Sequence, residues 1–370
     1  MLKHGIRKVH TQASKTVLYG WGQTLALPLS KGSTDRIFDR PRSLKEEQDY
    51  ALPTHADVTR VATGWAHSLL AFDNQVYAFG LDQSGQLGGS HATFPDEVKL
   101  LACGREHSHV VTENKEGTQL YSFGNNMYGQ LGVGKSKRSD PGTLVCERTP
   151  QPVHFNHHIT DIVCGLDHTV IATQQEEVYA MGWAADGQLG QGFEDKNRPS
   201  RLTFPHHVDK LSSSTDFTLA LTPGGLWTWG NSEYGQGLQG RIIDRILEPL
   251  KIQMDVSDFA AGGPFSVILA SDGQVYTCGY GALGLDKVIQ TLEPTLVQGL
   301  SNKEIIKVFA STDYAAALSK NGDLYTWGLN GSGRLGLGPT DAIVPKRVDI
   351  DKQVIDVSLG TNHAIATCAE

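Results

Sequence analysis

Apolar residues in this chain come in short strand-length runs broken by turn residues, with no long amphipathic periodicity. His67–Phe72 reads as one strand, Asp73-Asn74 as the start of a turn, and Gln75-Val76-Tyr77-Ala78-Phe79 as the returning strand. Ser271-Asp272-Gly273-Gln274-Val275-Tyr276 predicts the same hairpin around Asp-Gly, and Asn321-Gly322-Asp323-Leu324-Tyr325 predicts it around Asn-Gly. A Pro-x-x-apolar step recurs at Pro150–Val153, Pro199–Leu202, Pro294–Val297 and Pro345–Val348. Proline has no backbone donor, so these segments are expected to be outer strands.

The hairpins are units of a repeat. An aromatic-glycine phrase stands at Trp21-Gly22, Phe79-Gly80, Phe123-Gly124, Met181-Gly182, Trp229-Gly230, Cys278-Gly279 and Trp327-Gly328, with Met and Cys in two places. A second phrase, Gly-x-x-ring, is anchored at Gly64, Gly104, Gly165, Ser214, Gly262, Ser311 and Gly360. Both counts are seven. A third phrase, Gly-Gln-Leu-Gly, occurs at residues 85–88, 129–132 and 187–190. Repeats of about fifty residues built from strands predict a propeller or solenoid. The chain opens on the second half of a unit and closes on the first half of another, so pairing of the two ends would complete one unit and remove the open edge. The predicted fold is all-β: a seven-bladed β-propeller over residues 17–370, one blade closed by the N- and C-terminal segments.

Composition narrows the function. Forty-one glycines fit a fold rich in tight turns. A net charge of −8 argues against a body that coats nucleic acid. The five cysteines are odd in number, show no CxxC spacing, and occupy small apolar repeat positions at Cys103, Cys164 and Cys278, so reduced buried thiols are expected. No apolar run reaches the roughly 18 residues of a membrane span. Residues 1–16 carry Lys3, Arg7, Lys8 and Lys15 with no acidic residue, and read as a mitochondrial targeting segment. No nucleophile motif, metal-ligand spacing or phosphate loop is present, so the reading is non-enzymatic, with neither cofactor nor metal.

Gly-x-x-His, aromatic-Gly and Gly-Gln-Leu-Gly, occurring together in order and register, resemble the regulator-of-chromosome-condensation repeat family. The segments Trp229–Tyr234, Gly279–Gly284 and Gly20-Trp21-Gly22 with Leu25-Ala26-Leu27-Pro28 are similar to its mitochondrial branch. That resemblance implies a seven-bladed ring closed by the chain ends. It also implies a mitochondrial location, in the matrix or peripherally on the inner membrane. Two roles come with it: guanine-nucleotide exchange on, or regulation of, a small or dynamin-like GTPase; and, alternatively, an RNA-associated scaffold for the mitochondrial large ribosomal subunit, with ribosomal RNA or ribosomal proteins as partners.

The repeat histidines His67, His107, His168 and His363 invite a chemical role, but the same position holds Phe217, Phe265 and Tyr314, so a packed ring is the requirement. The preceding position varies: Ala66, Glu106, Asp167, Asp216, Pro264, Asp313 and Asn362. Variation at one position among similar units marks a surface. In the family's chromatin-bound exchange factor an Asp directly before the repeat His faces the GTPase, which maps onto Asp167; Asp216, Asp313 and Glu106 share its place. That factor's β-wedge has no clear equivalent in this sequence. Lys135, Lys137 and Arg138 form a basic loop cluster, a candidate contact for RNA or lipid phosphates, and Arg36, Arg40, Arg42 and Lys45 form another.

Overall fold

The computed structural model describes residues 16–142, 145–204 and 207–370; residues 1–15 of the expected targeting segment lie outside them. Among the described residues, twenty-eight strands form seven four-stranded antiparallel sheets. Six are consecutive: blade 1 (residues 60–93), blade 2 (97–153), blade 3 (159–201), blade 4 (210–252), blade 5 (256–296) and blade 6 (305–347). Blade 7 is composite. Its first two strands are Val354–Leu359 and His363–Ala369, and its outer two are Thr16–Gln23 and Ile37–Ser43. Thr16 lies opposite Ala369 and Gly22 opposite His363, an unbroken antiparallel register. The expected closure by the chain ends is therefore present.

Pro150, Pro199, Pro294 and Pro345 all lie in outermost strands, where a missing N–H breaks no ladder on the outer side. The hairpins at Gly273 and Gly322 differ in detail from a two-residue turn. Only the glycine has positive φ (82° in both), and its N–H returns to the carbonyl three residues earlier, Ala270 and Ser319.

The three repeat phrases are the contacts between blades. The ring of each Gly-x-x-His folds back over its own glycine; a Cβ on Gly64 would stand 2.4 Å from the His67 ring. The same ring bonds a hydroxyl of the next blade: His363 to Ser68 at 2.7 Å, His67 to Ser108 at 2.9 Å, and His107 to Thr169 at 3.3 Å. His168 reaches Ser213 at 2.9 Å and Thr218 at 3.4 Å. Where the next unit offers Ala315 or Ala364 instead, the ring is Phe265 or Tyr314. The last glycine of Gly-Gln-Leu-Gly leaves room for the next blade's aromatic: a Cβ on Gly88 would lie 2.8 Å from Phe123, and one on Gly190 3.2 Å from Trp229. The fully buried indoles of Trp229, Trp327 and Trp21 donate to Gln188, Ala282 and Arg334 carbonyls of the preceding blade, at 2.8–3.0 Å.

Candidate functional site: the insertion face

Antiparallel order puts each blade's first-to-second and third-to-fourth strand loops on one face of the disc, and the hairpins and both described chain ends on the other. The variable positions and the long insertions thus share a face, here called the insertion face. Its centre is rigid. All seven carbonyls of the variable position accept an N–H from the residue after the aromatic-glycine pair, at 2.7–3.0 Å. That contact explains the glycine: a Cβ on Gly80 would sit 2.2 Å from the Ala66 carbonyl oxygen. Around the axis the loops are joined in a circle, each to its neighbour. Trp65 N–H donates to Gly104, Arg105 to Leu166, Leu166 to Thr215, Gly263 to Thr312 and Thr361 to Gly64. The Thr215 hydroxyl donates to Gly263, and the Thr312 and Thr361 hydroxyls bond each other. Variable side chains are therefore presented from an ordered backbone.

The four acidic candidates fall in different environments. Asp167 is only 3% exposed; Arg105 of the preceding blade pairs with its Oδ2, and Gln130 Nε2 donates to its Oδ1 at 3.3 Å. Burial raises its carboxyl pKa, the Arg105 charge opposes that rise, and Glu106 reinforces it. A freely offered carboxylate is thus not what the structure places at Asp167. The group displayed there is the Arg105 side chain, 34% exposed with its Nε buried, its guanidinium 5.8 Å from the Trp65 ring centre, with Trp65 itself 38% exposed. Asp216 is partly buried, and its Oδ1 has no hydrogen-bond partner. Burial first, then repulsion from Asp186 and Asp167, pushes its pKa up to about 7, with Arg105 pulling the other way. Glu106 Oε2 accepts from Ser84 at 2.9 Å and Asn125 at 3.1 Å. The Asp313 side chain is 42% exposed, with Arg334 at 3.6 Å.

The first basic cluster is also on this face. Lys135, Lys137 and Arg138 are exposed on the long blade 2 insertion. Arg138 stands 3.8 Å from Asp195, and among the described residues no carboxylate pairs with Lys135 or Lys137. The second cluster runs along the outer strand of blade 7 to Lys45, beside Thr16 on the opposite side, and is less available: Arg36 is held by Glu47 at 2.8 Å and Asp49 at 2.6 Å, and Arg42 approaches Glu47.

The repeat histidines are buried and neutral. Burial lowers His67 to about 4 and His168 and His363 to about 3. Their partners are hydroxyls of the next blade. His109 is an extra member at a place that is aliphatic in the other units, such as Leu69 and Val170. His107, His109 and Cys164 bring ligand-type atoms within 4.8 Å of one another. The Thr169 hydroxyl holds both imidazoles by their Nε2 atoms, at 3.3 and 2.9 Å, and Ser122 meets His109 Nδ1 at 2.8 Å. The cluster works as a buried hydrogen-bonded hub. Cys164, Cys278 and Cys368 are buried, while Cys103 and Cys146, the former expected to be buried, are partly exposed. No described helix is long and apolar enough to cross a membrane.

Residues 17–366 match the family model of the RCC1-like domain. The chain is 29% identical to the RCC1-like G exchanging factor-like protein of Mus musculus over 382 residues, 91% of this chain and 82% of that protein. Its fold is similar to the crystal structure of human WBSCR16, with a TM-score of 0.83 and 26% identity over 97% of this chain and 100% of that one. Prp20p from Saccharomyces cerevisiae shares the fold, with a TM-score of 0.80 at 22% identity over 97% of this chain and 92% of that one.

Proposed function

Because this chain belongs to the RCC1-like domain family, we propose that it binds a GTPase on its insertion face and regulates nucleotide exchange there. One observation carries the reading. At the centre of that face an ordered ring of loops displays Arg105 over Trp65, backed by the buried Asp167 carboxylate. Trp and Arg are the residue types that dominate interface energetics, most of all where their rotamers are fixed in advance. The exchange-factor name of the mouse relative supports the same reading. Exchange requires tighter binding of the nucleotide-free GTPase than of the loaded one, since only differential affinity shifts an equilibrium. The open carboxylate of Asp313 suits that task, because it competes with phosphate for a phosphate-binding lysine or perturbs Mg²⁺. The partner proposed is a mitochondrial dynamin-like GTPase, reached through the basic segment 1–16. Purified protein should accelerate release of fluorescent GDP from that GTPase. No acceleration at concentrations where the two bind would refute the exchange role, and a diffuse reporter fused to residues 1–16 would refute the location.

The unpaired Lys135 and Lys137 favour a second reading, an RNA-associated scaffold for the mitochondrial large ribosomal subunit. Crosslinking in mitochondria should then recover large-subunit RNA, with less recovered from the K135E/K137E variant. Equal recovery from both would discard it.

A further inference from the structure

One unit is shorter than its neighbours. From the glycine of the aromatic-glycine phrase to the next repeat glycine is five residues in Gly80–Gly85, Gly124–Gly129, Gly182–Gly187, Gly230–Gly235 and Gly328–Gly333, but two in Gly279–Gly281 of blade 5, a loss of three. The glutamine that follows in four of these five, Gln86, Gln130, Gln188 and Gln236, is buried and ties down the turn, and blade 6 has the buried Arg334 there. Gln188 Oε1 accepts the Asp186 N–H at 2.8 Å, and Gln130 and Gln236 accept in the same way at 3.0 Å. Blade 5 has Ala282 at that position. The volume that the turn and the amide fill in the other blades is left as a cavity of about 280 Å³ on the insertion face, between blades 5 and 6.

The walls have a definite chemistry. Tyr280, Val288, Ile289, Leu329 and Ile343 line the cavity while 41–62% exposed. Scattered single apolar side chains on a surface need no explanation, but five around one opening do. Asp286, Asp313 and Asp341 also line it, and no Lys or Arg does. The Arg334 guanidinium, 3.6 Å from Asp313, is nearly buried and committed to the Leu329 and Thr361 carbonyls. Asp341 Oδ1 takes the Asn330 N–H. Three carboxylates against one spent cation leave the rim negative. The walls are also braced: the loop returns to the sheet by Gly281 N–H to Ile289 O at 2.9 Å, and reaches blade 6 by Asp286 N–H to Ile343 O at 3.1 Å. A volume just under the roughly 300–1,000 Å³ of drug-sized ligand sites suits one large side chain better than a cofactor.

We infer that this cavity is a docking pocket for a protein partner that inserts one large aliphatic or aromatic side chain, with a Lys or Arg beside it to meet the Asp rim. The pocket shares Asp313 with the exchange reading but does not depend on it, since it needs only a polypeptide of that pattern, and its test reads peptide binding alone. The test is a phage-displayed random heptapeptide library panned on the full chain, with the L329E/I343E variant in solution as competitor. Both positions are more than half exposed, and an unchanged thermal midpoint confirms folding. Enriched peptides should carry Leu, Ile, Met or Phe within two residues of Lys or Arg. A synthetic peptide of the enriched sequence should lose about tenfold in affinity on L329E/I343E, and similarly on V288E, as for a truncated interface anchor. D286N, which removes charge alone, should weaken it by a smaller factor that vanishes at high salt. Peptides that are acidic or lack a large apolar residue, or that bind L329E/I343E as well as the parent, would overturn the inference. So would a panning that enriches nothing for the parent chain.

Discussion

Asp216 offers a quantitative test of how the insertion face is charged. Its carboxyl is moved from 3.8 to about 7, burial being the largest cause and the Asp186 and Asp167 charges next. A raised acid pKa means that the folded state holds a proton the unfolded state has lost, so stability falls as pH rises between the two values. Well above pH 7 the whole shift, about three units or ~4 kcal/mol, opposes folding. Between pH 6 and 8 the unfolded state is already deprotonated, while the folded state gives up its proton around pH 7. The penalty therefore grows by about one unit, or ~1.4 kcal/mol, over that window. Asp216→Asn removes it. For a chain of this length, at roughly 2.1 cal/mol/K per residue of unfolding entropy, the gap between D216N and the parent should widen by about 2 °C from pH 6 to pH 8. Differential scanning fluorimetry at half-unit steps measures this, and the histidines cancel in the comparison. A gap that stays constant would refute the argument that Asp216 Oδ1 is an unpaired buried carboxylate in a like-charged setting.

Other outcomes follow from the same geometry. His67, His107, His109, His168 and His363 all have lowered pKa values from burial, so their stabilising neutrality is complete above about pH 6.5 and is lost as pH falls. Five such groups give a slope of about 7 kcal/mol per pH unit, so circular dichroism should show cooperative unfolding on acidification, with the midpoint moved lower in H168F; retained structure at pH 4 would contradict this. Gly80→Ala forces a Cβ against the Ala66 carbonyl and should cost about 2–4 kcal/mol. Gly192→Ala, also at positive φ but in open space, should cost about 1 kcal/mol, and equal losses in urea titrations would refute the contact argument. If Asp167 acts by holding Arg105, R105A and D167N should each lower GTPase affinity and the double variant should be no worse than R105A; additive losses would separate the two residues.

The ring was legible because its contacts are periodic. Three short phrases recur in register, and each turns out to be one half of a joint between neighbouring blades, so counting phrases counted blades. The offset of the first and last phrases revealed the closure for the same reason. The site was less legible because it depends on pairs that occur once. Asp167 and Arg105 are 62 residues apart, and nothing in the spacing of either predicts their meeting. A trace was present: the position two before the ring reads Trp65, Arg105, Leu166, Thr215, Gly263, Thr312 and Thr361, with one charge among seven. The histidine partners were equally readable. The residue after the ring is Ser68, Ser108, Thr169 or Thr218 in the units that follow a histidine-bearing one, whereas Ser266, Ala315 and Ala364 follow Phe217, Phe265 and Tyr314, and Ser266 donates to the Gln236 carbonyl instead.

The composite blade also fixes an order of events. Six blades pair strands that are neighbours in sequence and need only local hairpins, which form fast. The strand Thr16–Gln23 is different, because its inner partner His363–Ala369 is made some 340 residues later. At the usual ~5–20 residues per second, some 340 residues of synthesis leave that strand half-paired for about 20–70 s. For that interval its inner edge presents unpaired backbone beside the apolar Leu18, Tyr19 and Trp21, which become core only on closure. Nascent chains released before residue 363 can never cover that edge, so truncated products should be marked for chaperone capture or degradation, while in the completed ring that inner edge is fully paired.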